Sequence, residues 1–283
     1  MGAMPRALRR SLLYVPASAE AMVRKVGSRG ADVVILDLED GVHPGAKAFA
    51  RGAVPVFLQE VDFGASEVFV RVNALSSPWV AEDLAALPAT GVAAVVIPKV
   101  SSAQDVRRAE SLLGRADPPL FAMIESASAV MAAAAIARSS PRLAGLMFGS
   151  ADYRESLGAG RDPDEAELLF ARSQILHAAR AARLEAYDAP FFDYRDPSGL
   201  ERSAARVRTL GFDGKTAIHP FQIPTINRAF SPTAAEVEWA RGVVRTLEEA
   251  SGRGRAVAGL RGEMVEAVHE RMARRILARA EPL

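Results

Sequence analysis

Short apolar runs recur along the chain, and most of them are followed by a longer segment with helical spacing. Runs such as VVIL at 33–36 and AVVI at 94–97 do not alternate between apolar and polar residues. This is typical of strands buried on both faces of a parallel sheet. The pattern predicts eight strands, at residues 11–16, 33–39, 68–73, 94–100, 120–126, 143–150, 185–189 and 216–220.

Amphipathic segments between these runs predict the helices. They lie at residues 20–28, 79–87, 104–113, 126–138, 163–183 and 200–210, and a last helix is expected at 263–280 after a stretch rich in Gly and Arg. Strands that alternate with helices predict a parallel sheet, and eight such units predict a closed barrel. We therefore expect an α/β fold, a TIM-type (β/α)8 barrel over residues 8–250 with a C-terminal helical extension over 251–283. A doubly wound open sheet is the alternative, but no G-x-G-x-x-G motif follows the first strand.

Polar residues stand at the end of nearly every predicted strand. Because the active site of such a barrel forms at the carboxyl ends of its strands, a ring of polar groups there predicts a site. The residues concerned are Asp37, Glu39, Asp40, Arg71, Asn73, Lys99, Glu125, Asp152, Asp188 and His219.

Glu125 and Asp152 are the candidate metal ligands, since each follows an apolar strand and the two strands are consecutive. Mg²⁺ is bound by few carboxylates together with waters and substrate oxygens, so two protein ligands suffice. Zinc is disfavoured because the four histidines are scattered along the chain. The alternative is that both carboxylates cap the helices that follow them.

Arg71 ends the third predicted strand, and a guanidinium at a barrel mouth suits bidentate binding of a carboxylate. The alternative is an ion pair with Glu39 or Asp40. Asp37, Glu39 and Asp40 together form a crowded acidic group that must either bind a cation or pair with Arg71 or Arg10, because neighbouring carboxylates raise each other's pKa.

Other strand-end residues favour structural roles. Lys99 is a candidate for a Schiff-base lysine, but nothing in its surroundings indicates a lowered pKa. Lys215 and the pair Arg24 and Lys25 are interpreted as exposed basic sites, and His219 as a hydrogen-bonded structural residue.

Composition narrows the function further. The 283 residues carry a net charge of +1, which argues against nucleic acid or an anionic membrane as the main partner. With 0 cysteines, disulfides and cysteine nucleophiles are excluded. The N-terminus lacks the apolar core of a signal peptide, and the apolar stretch at 127–137 is too short to cross a bilayer. We expect a soluble, cytoplasmic protein.

Seven short motifs resemble, in order, those of the citrate lyase beta-subunit-like family of the HpcH/HpaI aldolase group. They are RSLLYVP at 10–16, LDLEDGV at 36–42, RVN at 71–73, IPKV at 97–100, MIES at 123–126, FGSAD at 148–152 and GFDGKTAIHP at 211–220. Each motif is weak alone, but together they cover nearly the whole chain.

The resemblance implies a TIM-like barrel that uses Mg²⁺ to cleave or form a carbon–carbon bond in a 3-hydroxyacyl thioester such as a citryl-, malyl- or citramalyl-thioester. The products would be a keto acid (oxaloacetate, glyoxylate or pyruvate) and an acetyl thioester on coenzyme A or an acyl carrier. It also implies a homo-oligomer, a trimer or hexamer, in which the C-terminal segment forms a lid or a subunit contact.

Site residues follow by motif from the same resemblance. Glu125 and Asp152 would bind the metal, and Arg71 would hold the keto-acid carboxylate. The remaining substrate-binding residues would be Glu125, Arg10, Tyr14 and Lys25, with Tyr14, Arg24 and Lys25 near the coenzyme A arm.

The proton-transfer group departs from the family pattern. Relatives often carry an Asp in a Gly-Lys-Met-Ile-Asp-x-Pro-like motif, whereas GEMVEAV at 262–268 places Glu266 there and lacks the proline. Glu266 or Asp40 is therefore the expected catalytic carboxylate. Two alternatives remain: a keto-acid aldolase that needs no thioester, and a non-catalytic barrel that binds a keto acid or serves as a scaffold.

Overall fold

Eight parallel strands close into a barrel in the computed structural model, which describes residues 8–88, 90–113 and 118–280. Each strand pairs with the next, and β8 returns to β1 through pairs such as Leu12 with Thr216. The strands are β1 (Ser11–Pro16), β2 (Val33–Asp37), β3 (Glu67–Arg71), β4 (Ala94–Ile97), β5 (Leu120–Ile124), β6 (Leu143–Phe148), β7 (Glu185–Asp188) and β8 (Gly214–Ala217). The predicted TIM-type barrel is confirmed.

Two apolar layers follow from the alternation of side chains along these strands. An inner cluster fills the barrel and includes Val33, Phe69, Phe121 and Tyr187. An outer cluster takes the alternate strand positions, such as Leu36, and packs them against the surrounding helices. The barrel is therefore a filled core, and its chemistry has to lie at one of its two ends.

Helices surround the barrel in the part of the chain from Arg9 to Phe230. They are α1 (Glu20–Val23), α2 (Lys47–Glu60), α3 (Val80–Ala85), α4 (Ala103–Leu112), α5 (Ala127–Ala137), α6 (Ser150–Leu157), α7 (Leu169–Ala181), α8 (Pro197–Leu210) and α9 (Ile223–Phe230). No helix range was predicted from the sequence for α2, α6 or α9. In α2, Pro55 lies inside the helix, and proline ordinarily interrupts a helix.

The second compact unit contains residues from Ser231 onward. It consists of α10 (Ala234–Ser251), a hairpin of β9 (Ala258–Leu260) and β10 (Glu263–Val265), and α11 (Ala267–Ala280). The two-residue turn at Arg261 and Gly262 has positive φ at both positions, as tight hairpin turns require. The helix expected from residue 263 therefore begins at Ala267, because β10 pairs in the hairpin first. The boundary expected at residue 250 falls near the end of α10, and the domain assignment stays a prediction.

No helix in the described ranges combines the length and apolarity that a bilayer span requires.

Candidate active site

Charged side chains from four strand units, β2, β3, β5 and β6, meet at the carboxyl end of the barrel. Asp37 and Arg71 are the last residues of β2 and β3, and they are register partners. Glu125 directly follows β5, and Asp152 lies in the first turn of α6, after β6. Because all the strands are parallel, these groups share one end of the barrel.

Glu125 and Asp152 form an acidic pair at this end of the barrel. Burial and, second, the negative charge of Asp152 raise the pKa of Glu125 to about 8. The charge of Arg71 acts in the opposite direction, which places all three groups within one electrostatic neighbourhood. A cation between the two carboxylates would offset both the burial and the repulsion.

Gly149, the residue between β6 and α6, leaves the room that Glu125 occupies. A Cβ atom at this position would lie 2.4 Å from Oε2 of Glu125. Oε1 accepts a hydrogen bond of 2.5 Å from the backbone N–H of Lys99. The Glu125 carboxylate is thus held by Lys99 at Oε1, and next to Oε2 it has Gly149, which carries no side chain.

The capping alternative does not describe Glu125. Ser126 is the N-cap of α5, and its hydroxyl accepts from the N–H of Ala129 at 3.2 Å. Gly149 is the N-cap of α6 and has no capping side chain. The donor set of Glu125 and Asp152 fits a hard divalent ion. No group of three or more His, Cys, Asp or Glu residues in the described ranges is arranged to hold a metal, so such an ion would have few protein ligands.

Arg71 is buried among acidic and aromatic neighbours. Its Nε and Nη2 each donate to Asp37 at 2.7 Å, and Nη1 lies 3.3 Å from Glu39. The ring of Tyr14 lies 4.7 Å from its guanidinium carbon. The carboxylates offset the cost of burying the cation and keep the pKa of Arg71 above its ordinary value. The ion pair with Glu39 that the sequence left open is present, and Asp37 holds the guanidinium more directly.

Lys99 connects Glu125 to residues 37–40, which carry Asp37, Glu39 and Asp40 and which we call the acidic loop. Its Nζ donates to Glu39 at 2.6 Å and lies 3.1 Å from Asp40, while its backbone binds Glu125. Burial opposes the charged form of Lys99, but both carboxylates favour it, and its pKa is raised. A Schiff-base lysine needs a lowered pKa, so the geometry disfavours an imine role.

The two acids that Lys99 contacts respond differently. Burial raises the pKa of Glu39 above its ordinary value, although Arg71 and Lys99 act against it. Burial also opposes ionisation of Asp40, but the hydrogen bond and the charge of Lys99 outweigh it and lower that pKa.

Lys47, which the sequence analysis did not identify, supports the acidic loop through hydrogen bonds from its ammonium group. Its Nζ donates to the carbonyl oxygens of Leu38 and Glu39 and to Oδ1 of Asn73, each at 2.7 Å. Asn73 in turn donates to Asp83 at 2.6 Å. Lys47 is the first residue of α2, which is one of the helices that the sequence analysis did not predict.

The other predicted site residues have separate positions. Arg10 lies before β1, at the opposite end of the barrel, and pairs with Asp32 at 2.8 Å. This corrects its expected grouping with the acidic loop, because parallel strands separate their two ends. Arg24 is paired with Glu20 and Glu60, and Lys25 is exposed.

Glu266 lies in the second compact unit. It directly precedes α11, and its backbone N–H donates to Nδ1 of His269 at 3.2 Å. Its catalytic role stays a prediction.

Lys215 was expected to be an exposed basic site, and this was wrong. Its side chain is fully buried, and Nζ donates to Asp188 at 2.5 Å. Asp188 also pairs with Arg172, which reaches Glu165 at 3.0 Å. The Lys215 side chain points outward from β8 toward α7 and α8. The counterion of its ammonium group is therefore a residue far away in the sequence, Asp188.

Comparison with known proteins agrees with this architecture. The HpcH/HpaI aldolase/citrate lyase family matches residues 10–220, and a C–C bond lyase family of the TIM-barrel fold matches residues 170–282. Citrate lyase subunit beta of Leuconostoc mesenteroides is 39% identical over 92% of this chain and 89% of its own. A (3S)-malyl-CoA thioesterase of Cereibacter sphaeroides is also 39% identical, over 97% and 95% of the two chains.

A solved structure extends the likeness to three dimensions. CitE of Mycobacterium tuberculosis, in complex with magnesium, acetoacetate and coenzyme A, superposes with a TM-score of 0.81 at 33% identity. That match covers 98% of this chain and 99% of the other. The family match and the similarity over almost the full length lead to one conclusion: the chain belongs to the HpcH/HpaI aldolase/citrate lyase family.

Proposed function

We propose that this chain is a Mg²⁺-dependent carbon–carbon lyase acting on a 3-hydroxyacyl thioester. The observation that carries the proposal is the pair formed by the buried Glu125 and the half-buried Asp152, in the electrostatic neighbourhood of Arg71. Two carboxylates that repel each other fit a divalent cation, and CitE of M. tuberculosis was solved with magnesium. Substrates of this class are malyl-, citramalyl- and citryl-thioesters, which give glyoxylate, pyruvate and oxaloacetate.

Glu125 and Asp152 would hold the ion, with the remaining positions left to water and substrate oxygens. When bound, Mg²⁺ supplies electrostatic stabilisation for the negative charge that develops on the substrate oxygen. Lys99 keeps Oε1 of Glu125 in place through its backbone N–H. Gly149 keeps the space beside Oε2 free of side-chain atoms.

Arg71 would recognise the carboxylate of the keto acid through Nη1, because Asp37 already occupies Nε and Nη2. There the substrate would compete with Glu39, which lies 3.3 Å from Nη1. Asp37 fixes the plane of the guanidinium. The Arg71 side chain is therefore already ordered and loses little conformational entropy when the keto acid binds. The ring of Tyr14 covers one face of the guanidinium.

Cleavage requires that the substrate hydroxyl lose a proton and that the carbon next to the thioester gain one. Of the two candidate carboxylates, Asp40 is paired with Lys99 and its pKa is lowered, so it is ionised near neutral pH and is a poor proton donor. Glu266 is therefore the better candidate for the proton transfer. Glu266→Gln is expected to reduce turnover more than Asp40→Asn does.

The reaction is tested with the purified protein on malyl-, citramalyl- and citryl-CoA, with each product identified. A lyase releases acetyl-CoA and a keto acid, whereas hydrolysis, the reaction named for the Cereibacter relative, releases free coenzyme A and the hydroxy acid. Simple 4-hydroxy-2-keto acids, assayed in parallel, test the aldolase alternative. Binding of a keto acid without turnover of any of these would favour the non-catalytic alternative.

Glu125→Ala tests the metal site. We expect loss of turnover and loss of the thermal stabilisation by Mg²⁺ that a bound ligand confers on the folded state. Glu155→Ala, an exposed acid on the same helix as Asp152, is the matched control. Unchanged turnover and unchanged Mg²⁺ response in Glu125→Ala would refute the proposal.

The assembly and location are also proposals. The chain is proposed to work in the cytoplasm as a homotrimer or hexamer, with residues 251–283 forming a lid or a subunit contact. Light scattering on the full-length protein measures the assembly, and a mass of 30.2 kDa would show a monomer. Imaging of a tagged copy in the source cell tests the location.

A further inference from the structure

Glu125 and Asp152 differ in how their carboxylates are held. Glu125 accepts a hydrogen bond from the backbone N–H of Lys99. Within residues 8–88, 90–113 and 118–280, no hydrogen bond or ion pair fixes the carboxylate of Asp152, which is half-buried in the first turn of α6. The position of this carboxylate beside Glu125 therefore depends on how α6 itself is held.

Helix α6 takes its position from side-chain contacts with its neighbours. It has 8 residues, and isolated helices shorter than about 12 residues are marginal in water. Tyr153 packs edge-on against Phe148 at 5.4 Å, which holds the helix against β6. The hydroxyl of Ser156 accepts from the backbone N–H of Ala127 at 2.9 Å, which connects α6 to the chain two residues after Glu125.

Arg154 connects α6 to the segment that precedes α7. Its Nε donates to Oε1 of Glu167 at 2.6 Å, and both side chains are only 13% exposed. A charge-assisted hydrogen bond shielded from water is stronger than the ion pairs of an open surface. Nη1 of Arg154 also lies 3.5 Å from Oγ of Ser150, the first residue of α6. One side chain thus connects the helix turn that carries Asp152 to Glu167.

Glu167 lies in a segment that is anchored independently of α6. Glu165, two residues earlier, is buried and accepts from Arg172 at 3.0 Å and from the hydroxyl of Ser203 at 2.8 Å. In the part of the chain that the structure describes, the second carboxylate oxygen of Glu167 is buried and accepts no hydrogen bond. The Glu167 carboxylate is therefore committed to Arg154, and the segment that presents it is fixed by Glu165.

We propose that Arg154 and Glu167 are positioning residues that fix the Asp152 carboxylate relative to Glu125 and thereby make the site selective for Mg²⁺ over larger divalent cations. Mg²⁺ demands near-ideal octahedral geometry at about 2.0–2.1 Å, whereas Ca²⁺ accepts flexible arrangements of oxygens at about 2.3–2.6 Å. A carboxylate on a fixed helix meets the stricter demand, and a carboxylate on a loosened helix does not. The inference rests on the proposed function, which places the ion at Glu125 and Asp152, and deepens it by assigning the residues through which the site distinguishes ions.

Calorimetric titration of the full-length protein with Mg²⁺ and, separately, with Ca²⁺ tests the proposal without turnover. In Arg154→Met, which keeps an apolar side chain and removes the cation, Mg²⁺ affinity should fall about tenfold, as for other residues that orient a metal ligand. Ca²⁺ affinity should fall less, so the ratio of Mg²⁺ to Ca²⁺ affinity should drop severalfold. Glu167→Gln should lower the ratio in the same direction by a smaller factor, because it keeps the shape of the side chain and removes its charge.

Two further variants make the titration specific. Arg154→Lys keeps a cation but not the fork of the guanidinium, and its Mg²⁺ affinity should lie between those of Arg154→Met and the unmodified protein. Arg206→Met is the matched control, since Arg206 pairs at 3.1 Å with Asp164 of the same segment but lies on α8. Its affinities for both ions should equal those of the unmodified protein. Urea unfolding of each variant shows whether it is folded, and Glu167→Gln and Arg154→Lys decide the test if Arg154→Met does not fold.

The outcomes separate this inference from the proposed function. Loss of Mg²⁺ binding in Glu125→Ala, together with a lowered Mg²⁺-to-Ca²⁺ ratio in Arg154→Met and Glu167→Gln, supports both proposals. The same loss in Glu125→Ala with an unchanged ratio in these two variants would overturn the positioning role and leave the proposed function standing. This holds also if both affinities fall equally, because Arg154 and Glu167 would then act on the fold as a whole. Unchanged Mg²⁺ binding in Glu125→Ala would overturn both.

Discussion

The backbone N–H of Lys99 donates to Oε1 of Glu125 at 2.5 Å, although the two residues are 26 positions apart in the chain. Lys99 has a φ of +53°, a left-handed conformation that costs about 1 kcal/mol or more in a residue with a side chain. The same residue sends its ammonium group to Glu39 at 2.6 Å. One residue therefore positions a candidate metal ligand through its backbone and the acidic loop through its side chain.

Lys99→Met separates these two tasks, because it keeps the amide and removes the ammonium group. The Lys99 side chain is 42% exposed, so each ion pair is expected to be worth at most about 1 kcal/mol. We expect kcat/KM to fall about tenfold, since roughly 1.4 kcal/mol corresponds to a factor of ten. Lys99→Arg should retain most of the activity. Complete loss of turnover in Lys99→Met, together with a borohydride-trapped adduct in the unmodified protein, would instead indicate an imine mechanism.

Gly149→Ala should disable the metal site although it replaces neither Glu125 nor Asp152. The added Cβ would lie 2.4 Å from Oε2 of Glu125, so the carboxylate has to shift from its position. We expect Mg²⁺ affinity to fall at least about tenfold, comparable with the loss of a group that orients a metal ligand. A Mg²⁺ titration followed by calorimetry and by activity measures it.

Gly160→Ala is the control for that substitution. A Cβ at Gly160 would meet no atom within 4 Å, and the residue is not among the glycines with positive φ. If both alanine variants bind Mg²⁺ like the unmodified protein, the ion does not rest on Glu125.

The sequence predicted the barrel well because its strands are buried on both faces and therefore read as continuous apolar runs. The predicted first strand coincides with β1, Ser11–Pro16. Helix α2 could not be recognised in the same way, because Pro55 breaks the local pattern and only packing against the barrel compensates. Local propensity therefore failed where tertiary contacts decide.

The sequence could predict which end of the barrel carries the candidate site residues, but not which residues they contact. A parallel barrel brings Arg71, Glu125 and Asp152 to one end whatever their partners are. The partners themselves depend on register, which the sequence does not display. Asp37 is the register partner of Arg71, and Lys215 is that of Asp188. This is why the buried lysine was misread as an exposed one.

Asp188 is expected to make stability depend on pH in the acid range. Burial opposes its ionisation, but Arg172 and Lys215 outweigh burial and lower its pKa to about 2. An unfolded aspartate has a pKa of about 3.9, so the stabilisation is fully present above about pH 4 and is lost as the pH falls toward 2. The contribution is about 2–3 kcal/mol. Urea unfolding midpoints between pH 2.5 and 7 would trace it.

Asp188→Asn leaves two buried cations short of a counterion and should cost about 3–5 kcal/mol at neutral pH. Its unfolding midpoint should also respond less to acid than that of the unmodified protein. Asp164→Asn is the control, because Asp164 pairs with Arg206 but is 77% exposed, where an ion pair contributes little. Equal losses in the two variants would contradict a special role for the buried group.

Lys47→Met tests whether the conformation of the acidic loop depends on its hydrogen bonds to Lys47. The three acceptors that Lys47 satisfies, among them the carbonyl oxygens of Leu38 and Glu39, would be left unpaired in a buried place. An unsatisfied buried acceptor costs about 1–3 kcal/mol, so part of the loop should shift to find water.

Because the loop carries Asp37 and Glu39, which hold Arg71, we expect KM for the keto acid to rise in Lys47→Met when the reaction is assayed in the synthetic direction. Mg²⁺ affinity should stay unchanged, since none of the contacts of Lys47 involves Glu125. Arg107→Met, an exposed change on α4, provides the control. A parallel loss of Mg²⁺ affinity and keto-acid binding would mean that Lys47 acts on the fold as a whole, whereas a change in keto-acid binding alone identifies it as the residue that positions the Arg71 clamp.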